Sequence, residues 1–132
     1  MNETYNWYST LQKPSWAPPV SLFGQVWSVL YLIIFVTYGF IFYKIYTKQL
    51  PTYLLLPLLL NLFFNFIFTP IQFGLRNNYL ATLDISLVLA TLIWTIIAIY
   101  KYFPIVSLAN IPYLLWVTIA TVLQFSITWL NR

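Results

Sequence analysis

The stretch SLFGQVWSVLYLIIFVTYGFIFY, residues 21–43, contains no charged side chain and ends at Lys44. A bilayer core about 30 Å thick is crossed by roughly 20 apolar residues in a helix. The stretch is continuously apolar and lacks the period of two that a strand of a transmembrane barrel shows. It therefore predicts a membrane-spanning helix rather than a strand.

Three further segments have the same character, and the composition of the whole chain agrees with them. The predicted spans cover about 20–46, 52–75, 78–102 and 107–130. Hydrophobic residues make up 61% of the 132 residues and charged residues only 6%, against about 25% charged in soluble domains. Because so short a chain has too little interior to bury this much apolar surface, lipid must cover the apolar surface that stays outside. We expect a single all-α domain, a multi-pass integral membrane protein with four transmembrane helices.

The scarcity of ionisable side chains excludes several classes of function. The chain has no histidine and no cysteine, and its only acids are Glu3 and Asp84. Catalysis by an acid–base pair and a metal site are therefore not expected. The cations form no basic run, so nucleic acid is not an expected partner. Three lie on each side of the predicted bundle, so the positive-inside rule does not set the orientation: Lys13, Arg76 and Arg132 on one side, and Lys44, Lys48 and Lys101 on the other.

Four polar side chains within the predicted spans are candidates for a site or for hydrogen bonds between helices, because an unpaired polar group is costly there. Asp84 either faces a site in the bundle interior or lies near the interface, where the positive end of a helix dipole stabilises it. Asn61 and Asn65 are one helical turn apart and share a face. Asn61 and Gln124 are expected to join helices by hydrogen bonds, whereas for Asn65 a structural role and a site role are both open.

Aromatic residues make up 21% of the chain, and some of them are spaced along one helix face. Trp27 and Tyr31 are four residues apart, as are Trp116 and Ala120, so each pair forms one stripe. Such stripes either line a pocket for a flat apolar ligand or pack against lipid and neighbouring helices. Composition alone favours the packing interpretation.

Several motifs carry a resemblance to one family. WYSTLQKPSWAPP, residues 7–19, followed by LFGQVWSVLY, residues 22–31, resembles the signature of the translocator protein family, also called TspO or tryptophan-rich sensory proteins. NFIFTPIQFGLRNNYLATLD, residues 65–84, and IPYLLWVTIATVLQFSITWLN, residues 111–131, resemble later segments of that family. The family has five spanning helices, and its first precedes the Trp-Tyr motif. Because only six residues precede Trp7, we expect this chain to lack that helix, through loss or truncation.

The resemblance implies a lid and a ligand pocket. The lid is the loop over residues 7–19, with Trp7, Lys13, Pro14, Trp16, Pro18 and Pro19. The implied ligand-binding residues are Phe23, Trp27, Tyr31, Asn65, Leu80, Asp84, Trp116, Ala120 and Leu123. Family members bind tetrapyrroles, cholesterol and synthetic apolar ligands. The family's cholesterol motif is incomplete here, with Leu123, Phe125 and Trp129 at its positions, so cholesterol is not the ligand expected.

The resemblance therefore implies a TspO-like protein of the lipid bilayer that binds porphyrin or another apolar small molecule. Its role would be in sensing, transport or stress response, with no cofactor required. One alternative is light-dependent degradation of porphyrin by Trp27 and Trp116, because tryptophans at these positions are implicated in it in bacterial family members. Another alternative is a membrane scaffold that binds no ligand. The resemblance also implies a homodimer.

Overall fold

The computed structural model describes residues 11–16, 20–69 and 77–131. Within these ranges the chain forms five α-helices, one short 3₁₀ turn and no strand. The helices are α1 (Val20–Tyr46), α2 (Leu55–Thr69), α3 (Asn78–Tyr100), α4 (Pro104–Ala109) and α5 (Ile111–Leu130), and the 3₁₀ turn is Thr52–Leu54. The predicted all-α architecture is confirmed.

Three of the described helices, α1, α3 and α5, are long and apolar enough to cross a membrane. The 27 residues of α1 rise about 40 Å at 1.5 Å per residue, which exceeds the thickness of a bilayer core. The apolar helix that includes α2 is shorter, and residues 70–75 of the predicted second span lie outside the described residues. The chain is a membrane helical bundle, as the sequence predicts.

The third predicted span, 78–102, corresponds to α3, which begins at Asn78 and ends at Tyr100. Asn77 caps its first turn, because its side-chain Oδ1 accepts a hydrogen bond of 3.0 Å from the backbone N–H of Leu80. Such a cap satisfies one of the donors that the first helical turn leaves unpaired. The cap fixes the start of the helix that carries Leu80 and Asp84.

The fourth predicted span, 107–130, differs from the structure, in which two helices meet at Asn110. The short helix α4 begins earlier, at Pro104, and α5 restarts at Ile111. Pro112 has no backbone N–H to donate to the carbonyl of Leu108, and its ring crowds that carbonyl, so the helix cannot run on unbroken. The side chain of Asn110 donates to the hydroxyl of Thr37 on α1 at 3.2 Å, which ties the break to the bundle.

The helix α3 is central, because both α2 and α5 pack along it. The buried core includes Ile34 of α1, Leu58 of α2, Leu92 of α3 and Val117 of α5. Apolar side chains also cover the outside, as with Phe35, which is 79% exposed. An apolar outer surface is the expected consequence of a lipid environment.

Candidate functional site

Trp27 and Tyr31, predicted to share one face of α1, are in contact. Their ring centroids lie 5.5 Å apart, with the planes inclined by 31°. Tyr113 of α5 approaches Trp27 edge to face, with the centroids 6.5 Å apart. Both arrangements fall within the range that aromatic pairs prefer. The indole of Trp27 therefore lies between an aromatic ring of its own helix and one of α5.

Asn65 of α2 connects the two tyrosines. The Tyr31 hydroxyl donates to Asn65 Oδ1 at 3.0 Å, and Asn65 Nδ2 donates to the Tyr113 hydroxyl. Asn65 is only 4% exposed; its bond to Tyr113 is buried and its bond to Tyr31 partly buried. We call Trp27, Tyr31, Asn65 and Tyr113 the aromatic–amide cluster. It joins α1, α2 and α5.

The aromatic–amide cluster retains unused hydrogen-bonding capacity. A side-chain amide offers two N–H donors and two acceptor lone pairs. Among the described residues, Asn65 makes one hydrogen bond through Nδ2 and one through Oδ1. The cluster thus combines aromatic faces with an amide that can still donate and accept, a combination suited to a flat ligand with a polar edge.

Asn61, one turn before Asn65, is hydrogen-bonded to all three long helices, α1, α3 and α5. Its Oδ1 accepts from the hydroxyls of Tyr38 on α1 at 2.8 Å and Tyr113 on α5 at 3.0 Å. Its Nδ2 donates to the Val88 carbonyl at 3.1 Å and to the Thr91 hydroxyl at 3.2 Å, both on α3. This is the interhelical role that the sequence favoured for Asn61.

Asp84 is buried in α3, with 4% of its surface exposed. Its Oδ2 has no hydrogen-bond partner among the described residues. A buried carboxylate oxygen is costly unless a donor meets it. Asp84 therefore lies inside the bundle with one polar atom that no described residue pairs. The described residues contain no group of three side chains that could hold a metal ion.

The remaining predicted ligand-binding residues are more dispersed. Trp116 and Ala120 of α5 are partly buried against the apolar core, and Leu123 is 5% exposed. Leu80 is 43% exposed, so it faces outward in the described part of the bundle. The side chain of Phe23 lies outside the described residues. The structure brings Trp27, Tyr31 and Asn65 into direct contact, and Tyr113 joins them from α5.

Two cavities adjoin α1. One, of about 850 Å³, lies between α1 and α2, and its lining includes Tyr31, Phe35, Tyr38 and Phe66. The other, of about 480 Å³, lies between α1 and α5, and its lining includes Trp116. Both volumes fall within the range of small-molecule sites, about 300–1,000 Å³. The first cavity reaches the aromatic–amide cluster through Tyr31, and the second reaches the other predicted tryptophan.

Part of the predicted lid lies at the end of α5. The backbone N–H of Gln12 donates to Asn131 Oδ1 at 3.1 Å, and Asn131 Nδ2 donates to the Gln12 carbonyl at 2.9 Å. Lys13 and Pro14 are partly buried, and Trp16 is 49% exposed. Three predicted lid residues lie outside the described residues: Trp7, Pro18 and Pro19.

The sequence analysis missed Tyr113 and Tyr38, the two tyrosines that bond to the amides of α2. Tyr113 precedes Trp116 by three residues, so it lies on nearly the same face of α5. A buried tyrosine in an apolar span needs a partner for its hydroxyl, and Asn61 and Asn65 need partners for the same reason. Matching these two requirements would have been a usable signal.

A helical membrane bundle with an aromatic–amide cluster in its interior is the class of protein that the fold and the site define. Comparison with known families is specific: the model of the TspO/MBR family matches residues 1–130. The chain belongs to the TspO/MBR family. This agrees with the resemblance carried by its sequence motifs.

Individual relatives come from distant organisms. The tryptophan-rich protein TspO of Bacillus cereus is 37% identical over 125 residues, which cover 95% of this chain and 80% of that protein. The translocator protein of Homo sapiens is 34% identical over 131 residues, 95% of this chain and 75% of that protein. Protein CrtK of Rhodobacter capsulatus is 31% identical over 125 residues, 95% of this chain and 78% of that protein.

Proposed function

We propose that this TspO-like membrane protein binds a porphyrin, or another flat and mostly apolar molecule, against the aromatic–amide cluster. The observation that carries the proposal is the convergence of Trp27, Tyr31, Asn65 and Tyr113 from three helices. The name of the human relative, translocator protein, supports transport as the role of this binding. Sensing and stress response are the other proposed roles.

The chemistry of the cluster suits this ligand class. A tetrapyrrole presents a broad apolar face, which stacks favourably on indole and phenol rings. Its polar edge needs hydrogen-bond partners once it leaves water, and Asn65 has unused capacity. With no histidine and no cysteine in the chain, the usual haem ligands are scarce, so metal-free porphyrin is the proposed guest.

The test is a titration of protoporphyrin IX into the protein in lipid nanodiscs, followed by the shift of the porphyrin absorbance band. Empty nanodiscs report the partitioning of porphyrin into lipid. Two pairs of variants separate the site from general effects: Asn65→Leu against Gln124→Leu for the amides, and Trp27→Leu against Trp94→Leu for the indoles. Trp94 is a suitable control because it is 43% exposed on α3.

The proposal predicts saturable binding in excess of that to empty nanodiscs. Asn65→Leu and Trp27→Leu should each weaken it by about tenfold, the equivalent of about 1.4 kcal/mol. Gln124→Leu and Trp94→Leu should leave it unchanged. Uptake that is linear and equal to that of empty nanodiscs would contradict the proposal and favour a scaffold that binds no ligand.

One observation favours a second activity at the same site, light-dependent degradation of the bound porphyrin with dissolved O₂ as the oxidant. Trp27, an oxidisable indole, lies at the centre of the cluster and contacts two phenols. Illumination of the same nanodisc samples separates the two functions. Degradation requires that bound porphyrin bleaches in the native protein and that bleaching is lost, with binding retained, in Trp27→Phe and Trp116→Phe. Binding without bleaching leaves the first proposal alone.

A further inference from the structure

Three lysines lie at one end of the bundle, where α1 and α3 end and the next helices begin. Lys44 is in the last turn of α1, Lys48 lies two residues beyond Tyr46, and Lys101 directly follows α3. We call these three side chains the lysine rim. We propose that the lysine rim binds the phosphate headgroups of anionic phospholipids.

Contacts between the two loops hold this end of the bundle together. The hydroxyls of Tyr53 and Tyr102 share a hydrogen bond of 2.5 Å, and the ring of Phe103 meets that of Phe40 edge to face, with centroids 5.1 Å apart. The loop after α1 and the loop after α3 are therefore joined. Their lysines belong to a single end surface rather than to two independent loops.

Lys44 is held in a defined position. Its Nζ lies 5.3 Å from the ring centroid of Phe40 and 5.9 Å from that of Phe103, within the range of cation–π contacts. The same Nζ donates to Gln49 Oε1 at 2.7 Å. An ammonium group has three donors, and the described residues supply one hydrogen-bond acceptor. Lys44 is thus an ordered cation that still has donors for an anion.

Lys48 occupies a backbone position that favours glycine. Its φ is 64°, the only positive φ of a non-glycine residue in the part of the chain that the structure describes. This position follows the end of α1, where its N–H donates to the Ile45 carbonyl at 3.0 Å. Helices commonly end in the left-handed conformation, and glycine adopts it without the steric cost that a side chain incurs. Lys48 adopts this conformation despite its steric cost, and its exposed cationic side chain lies at the same end of the bundle as Lys44.

Within the part of the chain that the structure describes, no acidic side chain lies at the end of the bundle that carries the lysine rim. The only acids in the sequence are Glu3 and Asp84, and Asp84 is in the second turn of α3, towards the opposite end of that helix. The hydrogen bond that Tyr102 shares with Tyr53 raises the pKa of Tyr102, so this phenol remains neutral beside the lysines. Among the described residues, the positive charge of the rim is therefore uncompensated.

The surrounding tyrosines place the rim at the level of lipid headgroups. Tyrosine is enriched at membrane interfaces, where its ring meets acyl chains and its hydroxyl meets water. Exposed tyrosines flank all three lysines: Tyr43, Tyr46, Tyr53, Tyr100 and Tyr102. A cationic surface at this depth meets phosphate groups that are already concentrated there, which favours anionic lipid over a soluble phosphate compound.

The test measures lipid binding to the full chain in detergent by native mass spectrometry. Phosphatidylglycerol and phosphatidylcholine with identical acyl chains are titrated separately, so only the headgroup differs. One variant combines Lys44→Gln, Lys48→Gln and Lys101→Gln. Its matched control combines Lys13→Gln, Arg76→Gln and Arg132→Gln, which remove the same charge from the other predicted side. Excess inorganic phosphate is added as a competitor.

We expect the native protein to prefer phosphatidylglycerol, by up to about fivefold for each lysine engaged. The rim variant should lose this preference, and the control variant should keep it. Equal binding of the two lipids to the native protein would overturn the proposal. So would an equal loss in both variants, which would indicate an effect of net charge alone. Displacement of lipid by inorganic phosphate would show a site for free phosphate rather than for membrane headgroups.

A single substitution separates binding from folding. Lys48→Gly relieves the cost of the left-handed backbone, so it should raise the melting temperature in detergent while it lowers the preference for phosphatidylglycerol. If Lys48 served only to end α1, Lys48→Gly would raise the melting temperature and leave lipid preference intact. That second result would contradict the role of Lys48 in the lysine rim.

Discussion

Asn61 and Asn65 show how two identical side chains, one helical turn apart, can have different roles. Asn61 makes four hydrogen bonds to three helices, whereas Asn65 makes two and keeps spare capacity. Lipid supplies little hydrophobic force between helices, so interhelical hydrogen bonds matter for assembly. We therefore assign stability chiefly to Asn61, and we propose ligand recognition as the role of Asn65.

Replacing Asn61 tests this division of roles. Asn61→Leu preserves volume but removes all four hydrogen bonds, and at about 0.6 kcal/mol for each bond the free energy of unfolding should fall by about 2 kcal/mol. The measurement is unfolding in mixed micelles with increasing denaturing detergent. Gln124→Leu is the matched control, because the hydrogen bonds of Gln124 are long, between 3.3 and 3.5 Å. Equal destabilisation by both changes would refute the special role of Asn61.

At the scale of elements, the start of α3 determines where two of the predicted site residues lie. The cap by Asn77 fixes the first turn, and Leu80 and Asp84 follow three and seven residues later. These two residues lie in different surroundings, because Leu80 is 43% exposed and Asp84 only 4%. A correctly placed helix therefore does not by itself bring every residue of its face into a site.

Removing the cap should destabilise α3 locally. Asn77→Ala eliminates the acceptor for the Leu80 N–H and should lower the free energy of unfolding by about 1 kcal/mol. Asn77→Asp keeps an acceptor and adds a negative charge at the positive end of the helix dipole, so it should retain or improve stability. The same micelle unfolding assay checks both changes. If alanine and aspartate had the same effect, the side-chain cap would not contribute.

At the scale of the whole molecule, the sequence predicted where the helices lie along the chain. It did not predict how each helix is rotated about its own axis. Long uncharged runs indicate spanning helices because the length of an apolar helix is dictated by the bilayer. The break between α4 and α5 at Asn110 could also have been predicted, since Pro112 cannot donate a helical hydrogen bond. When a helix is apolar all round, however, its sequence does not indicate which face points inward.

The site was only partly predictable for the same reason. Trp27 and Tyr31 could be paired from their spacing, because both lie on one helix. The partnership of Asn65 with Tyr113 spans 48 residues, and that of Asn61 with Tyr113 spans 52. Such contacts depend on how α2 and α5 are rotated about their axes, which packing decides. Tyr113 was therefore missed, although the need for partners of buried amides was recognised.

The most direct test of the central claim is to locate bound porphyrin by the damage that it causes under light. Illuminated porphyrin generates reactive oxygen that oxidises nearby indoles. The native protein in nanodiscs, with porphyrin below stoichiometric amounts, is illuminated briefly, and oxidation of each tryptophan is measured by peptide mass spectrometry. Samples kept in the dark provide the background. Surface exposure alone would favour Trp94, which is exposed to lipid, over the less exposed Trp27.

Binding against the aromatic–amide cluster predicts the opposite order, with Trp27 oxidised before Trp94. Excess of a non-photosensitising apolar competitor should abolish this preference. Oxidation of Trp94 first, or of both tryptophans at the same rate, would show that porphyrin lies in the surrounding lipid. That result would contradict a ligand site at Trp27, Tyr31, Asn65 and Tyr113.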